Sequence, residues 1–433
     1  MRTYQQLVAH VLEHGQRKEN RTGVDTLSTF NFNFEVDMRD GFPLLTTKEI
    51  SWKNIVIEML WFLSGQTDIS ILKRHGCKFW DAWADPETGK VPSAYGNFWR
   101  KFPVHKPTVY GEDGEFTGVD VAYNDQIQWT IDELNKSPMS RRLVVSAWAP
   151  GNAQTSKLPP CHCLFILNVQ NEDPLETFVR AKTPLGNDMV SRDTADTILQ
   201  HFLSDSERRE VLKRQLLNPD MNARFTDEDR EYLRTIDQEP MTKRLCLHLT
   251  QRSCDVALGV PYNIASYGLL LHLYARFTGI EPGIFAHSLV DAHIYTSKPD
   301  GSMAEFDHVP GLREQLTRTP RPLPKLVISD TIKTIADIEA LMAPEVTTEQ
   351  IMSLFVLEGY DPHPAIPFRV AVLVALYHNQ GRVPHLQRDL DCRWPGLHRQ
   401  DYSHAPQAAT GPLQSDAPGV QDILPRSPSG APR

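Results

Sequence analysis

Leu245-Cys246-Leu247-His248-Leu249-Thr250-Gln251-Arg252-Ser253-Cys254-Asp255 is the stretch whose reading decides the fold. Leu245, Leu247 and Leu249 alternate with Cys246, His248 and Thr250, the period of two that gives a strand one apolar face. A charged cluster then ends the strand, and Asn263 to Phe277 reads as an apolar, buried helix. Upstream the same two signals are mixed. Ser51 to Gly65 places Ile55, Met59, Phe62 and Leu63 on one helical face, widened by Leu60 and Trp61. Leu143 to Trp148 and Cys163 to Val169 are short and apolar, as buried strands are.

The 433 residues are 40% hydrophobic and 23% charged, enough for one large core or two smaller ones. A net charge of -9 gives no case for sequence-independent nucleic-acid binding, though it says nothing of a local basic pocket. The apolar runs Ile55 to Leu63 and Leu269 to Leu273 fall far short of the about 20 residues that a membrane span needs. The opening Met1-Arg2-Thr3-Tyr4 has no apolar signal segment, so a cytoplasmic protein is expected, or one of a host's cytoplasm if the source is viral. The six cysteines form no C-x-x-C pair and read as reduced thiols. Cys161-His162-Cys163 is not read as a metal clip, because adjacent strand residues face opposite sides and no second ligand cluster follows. No metal is expected.

Three regions differ in character. Residues 1–372 carry the strand and helix signals, interrupted by a charged stretch over 171–243. In that stretch Ile198, Leu199, Phe202 and Leu203, then Val211, Leu212, Leu216 and Leu217, recur at helical spacing. Ser204 with Glu207 fits a capping box, so a helical insertion is expected. Residues 373–433, with eight prolines, read as a mostly disordered tail.

Several short motifs could carry chemistry. Pro159-Pro160-Cys161-His162 holds a thiol on a stiff backbone at a strand entry, as either a nucleophile or a buried structural cysteine. Arg252, Ser253 and Asp255 suit a phosphate and a hydrogen-bonding ring, or a strand-end ion pair. Arg141-Arg142 sets two repelling guanidinium groups side by side, which favours a nearby anion unless the pair is simply solvated. Arg21 is a turn arginine. Asn263 is an N-cap or, alternatively, an amide that offers donor and acceptor to a pyrimidine edge.

In order along the chain, these pieces resemble the thymidylate synthase family. The resemblance rests on Asn20-Arg21-Thr22-Gly23, Gly41-Phe42-Pro43-Leu44-Leu45-Thr46-Thr47-Lys48, Glu58-Met59-Leu60-Trp61-Phe62-Leu63-Ser64-Gly65 and Trp80-Asp81-Ala82-Trp83. Ser140-Arg141-Arg142, Pro160-Cys161-His162, Gln251 to Asp255, Asn263-Ile264-Ala265-Ser266-Tyr267, Asp291 to Tyr295 and Gly359 to Pro364 complete it. It covers residues 1 to about 372 outside the insertion.

The resemblance implies an α+β sandwich of mixed sheets with helices, paired sheet to sheet as a homodimer. It implies that Cys161 attacks C6 of dUMP and that C5 then captures the methylene of 5,10-methylenetetrahydrofolate, the co-substrate. Glu58 would move protons through ordered water, with Tyr95, Asp255 and Arg252 as further catalytic groups. Arg21, Arg142, Arg252 and Ser253 would hold the phosphate. Arg141, and in a second arrangement Arg142 too, would reach over from the other subunit. Asn263 would read the uracil edge, and His293 and Tyr295 would bond the sugar. Asp255 would hold the pterin, with Lys48, Trp80 and Trp83 on the folate side. Neither nucleic acid nor membrane is required.

The chain also departs from the family pattern. Lys90-Val91-Pro92-Ser93-Ala94-Tyr95-Gly96-Asn97-Phe98-Trp99-Arg100 replaces a wall more often read Gly-Pro-Val-Tyr-Gly-Lys-Gln-Trp-Arg. Ala149 stands where Asn is usual and Ser51 where His is common. Sixty-one residues follow Val372, where relatives end in a carboxylate that helps close the site. Closure excludes water from the intermediate, so the alternative outcome is water capture to 5-hydroxymethyl-dUMP with release of tetrahydrofolate. A catalytically silent homologue acting as a binding module is the third reading.

Overall fold

The alternating leucines around Leu247 form the middle of a mixed sheet. A computed structural model describes residues 2–20, 22–105, 121–153, 156, 158–172 and 242–371. The helices and strands begin with α1 (Arg2–His14), β1 (Gln16–Lys18), β2 (Asp25–Asp37), α2 (Trp52–Leu63), α3 (Ser70–Arg74) and α4 (Tyr95–Arg100). Next come β3 (Phe102–His105), β4 (Val121–Asn124), α5 (Gln126–Lys136), β5 (Val144–Ser146), α6 (Pro150–Ala153) and β6 (His162–Glu172). Then follow β7 (Thr242–Gln251), β8 (Cys254–Asp255), α7 (Gly259–Thr278) and β9 (Glu281–Thr296). The last are α8 (Val309–Leu316), β10 (Lys325–Ile328), α9 (Ile335–Leu341), α10 (Thr348–Ser353) and β11 (Phe355–Glu358).

Seven strands form the main sheet in the order β1-β2-β9-β7-β6-β5, with β8 also on β9. β7 and β8 run parallel to β9 and the other pairs are antiparallel, so the sheet is mixed and the class is α+β. One row across it reads Val145, Phe165, Leu249, His287, Phe34. That row faces helices: α7 packs on β7 and β9, and α2 packs on α7. The next row, Val144, Ile166, His248, Ala286, Glu35, faces the other way, and Val144 and Ile166 are exposed. The described residues all fall in the unit Met1–Val374, and no helix among them is long and apolar enough to cross a membrane.

The apolar helix starts earlier than its sequence suggests. α7 begins at Gly259, so Asn263 sits beyond the first turn and is not its N-cap. Pro261 is tolerated there because the first N–H groups of a helix have no intrahelical acceptor. β6 and β7 pair from His162↔Gln251 to Glu172↔Thr242, so residues 171–172 and 242–243 are strand. The chain therefore leaves toward 173–241 at the end of this pair remote from Cys161, roughly 30 Å away at about 3.4 Å per residue. Most of the expected 171–243 insertion and the 373–433 tail lie outside the described residues.

Candidate active site

Cys161 ends the two-proline segment just before β6, and its direction is set by neighbours rather than by the prolines alone. Arg252, one residue past β7, donates from Nε to Pro160 O (2.9 Å) and from Nη2 to Pro159 O (2.8 Å). The same Nη2 stands 3.8 Å from the Cys161 Sγ. A fixed cation at that distance favours the thiolate over the thiol. The guanidinium lies over the Trp148 ring, 5.4 Å from its centroid.

Tyr95 holds Cys161 from the other side. Its Oη accepts from Cys161 N (2.9 Å) and His162 N (3.3 Å), and its ring stacks on His162 at 4.7 Å. Burial, then the charge of Cys161, raises the phenol pKa well above its ordinary value, so the hydroxyl keeps its proton. Tyr95 reaches this place because Gly96 lets α4 press on α2, where a Cβ would run into the Phe62 carbonyl. Tyr95→Phe leaves two backbone N–H groups without an acceptor. We expect a stability loss of roughly 2 kcal/mol in urea melts, with a larger fall in turnover.

Glu58, on α2, lines the same cavity as Cys161 and accepts from Trp80 Nε1 at 2.7 Å. Burial pushes its carboxyl up to about 7, against the Trp80 hydrogen bond, which favours the anion. Asp255 Oδ1 accepts from Ala257 N (3.0 Å) and Leu258 N (3.1 Å), which fixes the turn into α7 and leaves Oδ2 outside those bonds. His293 is paired with Asp255 in the sheet. Burial alone would lower its pKa, but the Asp291 carboxylate, aided by Asp255, outweighs it and raises it. Tyr295 packs edge-on to His293 at 5.4 Å.

Glu58, Trp80, Trp83, Tyr95, Cys161, Ser253, Asp255, Asn263, His293 and Tyr295 all line one cavity of about 300 Å³. That is within the range of small-molecule sites. A more open depression beside Arg142 is bounded by Glu133 and Ser137 to Ser140 and holds neither a cysteine nor a histidine.

A sequence profile described as "Thymidylate synthase" matches residues 2–192 and 224–372. A thymidylate synthase of Haloferax volcanii is 33% identical, with 84% of this chain and 95% of that protein covered. The chain belongs to the thymidylate synthase family.

Not every expected residue of this thymidylate synthase family member reaches the cavity. Lys48 is buried and does not line it: Nζ donates to Ala257 O (2.5 Å) and stands 4.6 Å over the Phe368 ring. Burial lowers its pKa to about 8, opposed by the Asp255 charge. Arg141 and Arg142 are exposed in the loop before β5 and do not line their own chain's cavity. Arg21 lies outside the described residues, but its neighbour Thr22 is on the cavity wall. Phe79, His162, Gln251, Val370 and Ala371 also line it. Of these, Gln251 had a sequence signal: it continues the inward phase of Leu245, Leu247 and Leu249, where a polar side chain needs a reason.

Proposed function

We propose that this protein is a thymidylate synthase that methylates dUMP with 5,10-methylenetetrahydrofolate. The observation that carries this is the convergence of Cys161, Glu58, Asp255, Asn263 and His293, from separate elements, on one cavity. The Cys161 thiolate adds to C6 of dUMP, and the resulting enolate attacks the folate methylene from C5. Glu58 takes part in the proton transfers through water, and Tyr95 keeps Cys161 in line. Loss of the C5 proton and of tetrahydrofolate leaves an exocyclic methylene. Hydride from the tetrahydrofolate reduces it, Cys161 is expelled, and dTMP and dihydrofolate leave.

Asn263 reads uracil, Ser253 and Arg252 face the phosphate, and His293 with Tyr295 faces the sugar. The pterin meets Asp255, Trp80 and Trp83, while Lys48 acts through Ala257. No metal takes part, and the enzyme works in the cytoplasm. The uncovered sheet row of Val144 and Ile166 supports a sheet-to-sheet homodimer. In it, the exposed Arg141 and Arg142 serve the partner's phosphate site. The catalytic domain is 1–372, with the charged insertion and the tail as additions.

A second outcome has its own support. Val370 and Ala371 form part of the cavity wall and the chain runs on beyond them, so the lid over the folate is not a chain end. Water capture would then yield 5-hydroxymethyl-dUMP and tetrahydrofolate. Absorbance at 340 nm with dUMP and methylenetetrahydrofolate, plus the product mass, separates the two. A rise with dTMP means dihydrofolate release, and no rise with hydroxymethyl-dUMP means water capture. A protein that forms neither product is the silent homologue. Asn263→Asp is expected to shift the kcat/KM ratio toward dCMP by about a hundredfold, because the acceptor and donor pattern no longer suits uracil. An unchanged ratio would place base reading elsewhere.

A further inference from the structure

An asparagine amide is ambiguous as a reader of pyrimidines. With Oδ1 toward N3 and Nδ2 toward the C4 substituent it suits uracil; turned over, the same side chain suits cytosine. Selectivity therefore needs something that stops Asn263 from turning, and the residues behind it supply it. Gln251, buried at the inner end of β7, donates from Nε2 to Asn263 Oδ1 (3.0 Å) and to Ser253 O (3.0 Å). A backbone carbonyl can only accept, so Ser253 O dictates which end of Gln251 is nitrogen. Gln251 Oε1 then faces His287 Nε2 at 3.0 Å, and that nitrogen must carry the proton.

His287 is the one polar member of the inward row Val145, Phe165, Leu249, His287, Phe34. It is 1% exposed, with Phe34 and Phe285 packed on its ring. Burial holds the imidazole neutral, so it has one N–H, and Nδ1 is left without a partner. A buried unpaired nitrogen is costly, and a purely packing role would be better filled by an apolar ring. The benefit lies in the direction of the single N–H.

We propose that His287 and Gln251 form a buried relay that fixes the Asn263 amide in the orientation that selects uracil over cytosine. The relay rests on the nucleotide reading above. His287 is a positioning residue in it and does not touch the substrate. Reversing Gln251 would set oxygen against the Ser253 carbonyl and N–H against N–H at His287. Both ends of the relay therefore resist the flip that would let Asn263 accept cytosine.

Calorimetric binding of dUMP and dCMP to the full chain and its variants tests this. The wild type is expected to prefer dUMP. His287→Phe keeps a ring in the apolar row but removes the donor, and should narrow the dUMP-to-dCMP affinity ratio about tenfold, the worth of one hydrogen bond. His287→Gln, still able to donate, should retain most of the ratio. Gln251→Glu, which presents an acceptor to Asn263, should move the preference toward dCMP. If Gln251→Glu fails to fold, the two His287 variants decide the matter. Equal weakening of both nucleotides with an unchanged ratio overturns the relay and leaves His287 a packing residue. A wild type that binds neither nucleotide overturns the nucleotide reading itself, and the relay with it.

Discussion

Cys161→Ala is expected to lower turnover by about 10⁴-fold or more, the scale of losing a covalent nucleophile. The other described cysteines are poor substitutes. Cys254 is buried, and burial drives its thiol pKa far up. Burial pushes Cys77 up to about 12. Cys163 is raised by burial, against the pull of Arg252, and it does not line the cavity. Cys246 does not line it either, so among the described cysteines only Cys161 combines the cavity with a guanidinium nitrogen 3.8 Å from its sulfur. Cys163→Ala should stay within a few-fold of wild type. Mass spectrometry of the complex with 5-fluoro-dUMP and methylenetetrahydrofolate reads the same point directly. The covalent adduct should form with Cys163→Ala and be absent from Cys161→Ala. Turnover by Cys161→Ala, with the adduct moved to another cysteine, would remove the nucleophile assignment.

How far the site was legible in the sequence depended on the range of the forces that built it. Leu245, Leu247 and Leu249 declared their strand because a period of two reflects only the local pleat. Cys161, Glu58, Asp255 and Asn263 were identified through motif order, and the fold brings all four to one cavity. The place of Lys48 could not be read that way. Its Nζ meets Ala257 O, 209 residues on, and lies over Phe368, contacts that exist only once α7 and the segment after β11 are packed. Asn263 looked like a cap because it stands at the start of the apolar run, whereas α7 begins four residues earlier, at Gly259. His287 was invisible for a similar reason. Its inward phase between Phe285 and Leu289 was readable, but its partner Gln251 lies on another strand, 36 residues away.

Glu58→Gln is expected to cost about 10²- to 10⁴-fold in turnover and yet to stabilise the fold at alkaline pH. The two effects share a cause. Burial raises the Glu58 carboxyl from its usual 4.5 to about 7, so between those values the folded chain keeps a proton that the unfolded chain has lost. With more protons bound in the folded state, stability falls as pH rises through this window and is level above about 7. At about 1.4 kcal/mol per pH unit the loss is roughly 3 kcal/mol, an upper figure because the carboxylate opens on the cavity and water screens it. Glutamine keeps the shape and the acceptor for Trp80 Nε1–H but cannot ionise. Urea melts should therefore put Glu58→Gln above wild type by roughly that amount at pH 8, with little difference at pH 4.5. The wild-type kcat/KM profile, which reports the free enzyme, should bend near pH 7, and the variant's should not. An equal stability difference at both pH values would mean that Glu58 ionises as freely as in water. The cavity would then lack the shielding that a proton-transferring carboxylate requires, and Glu58 would lose its place in the mechanism.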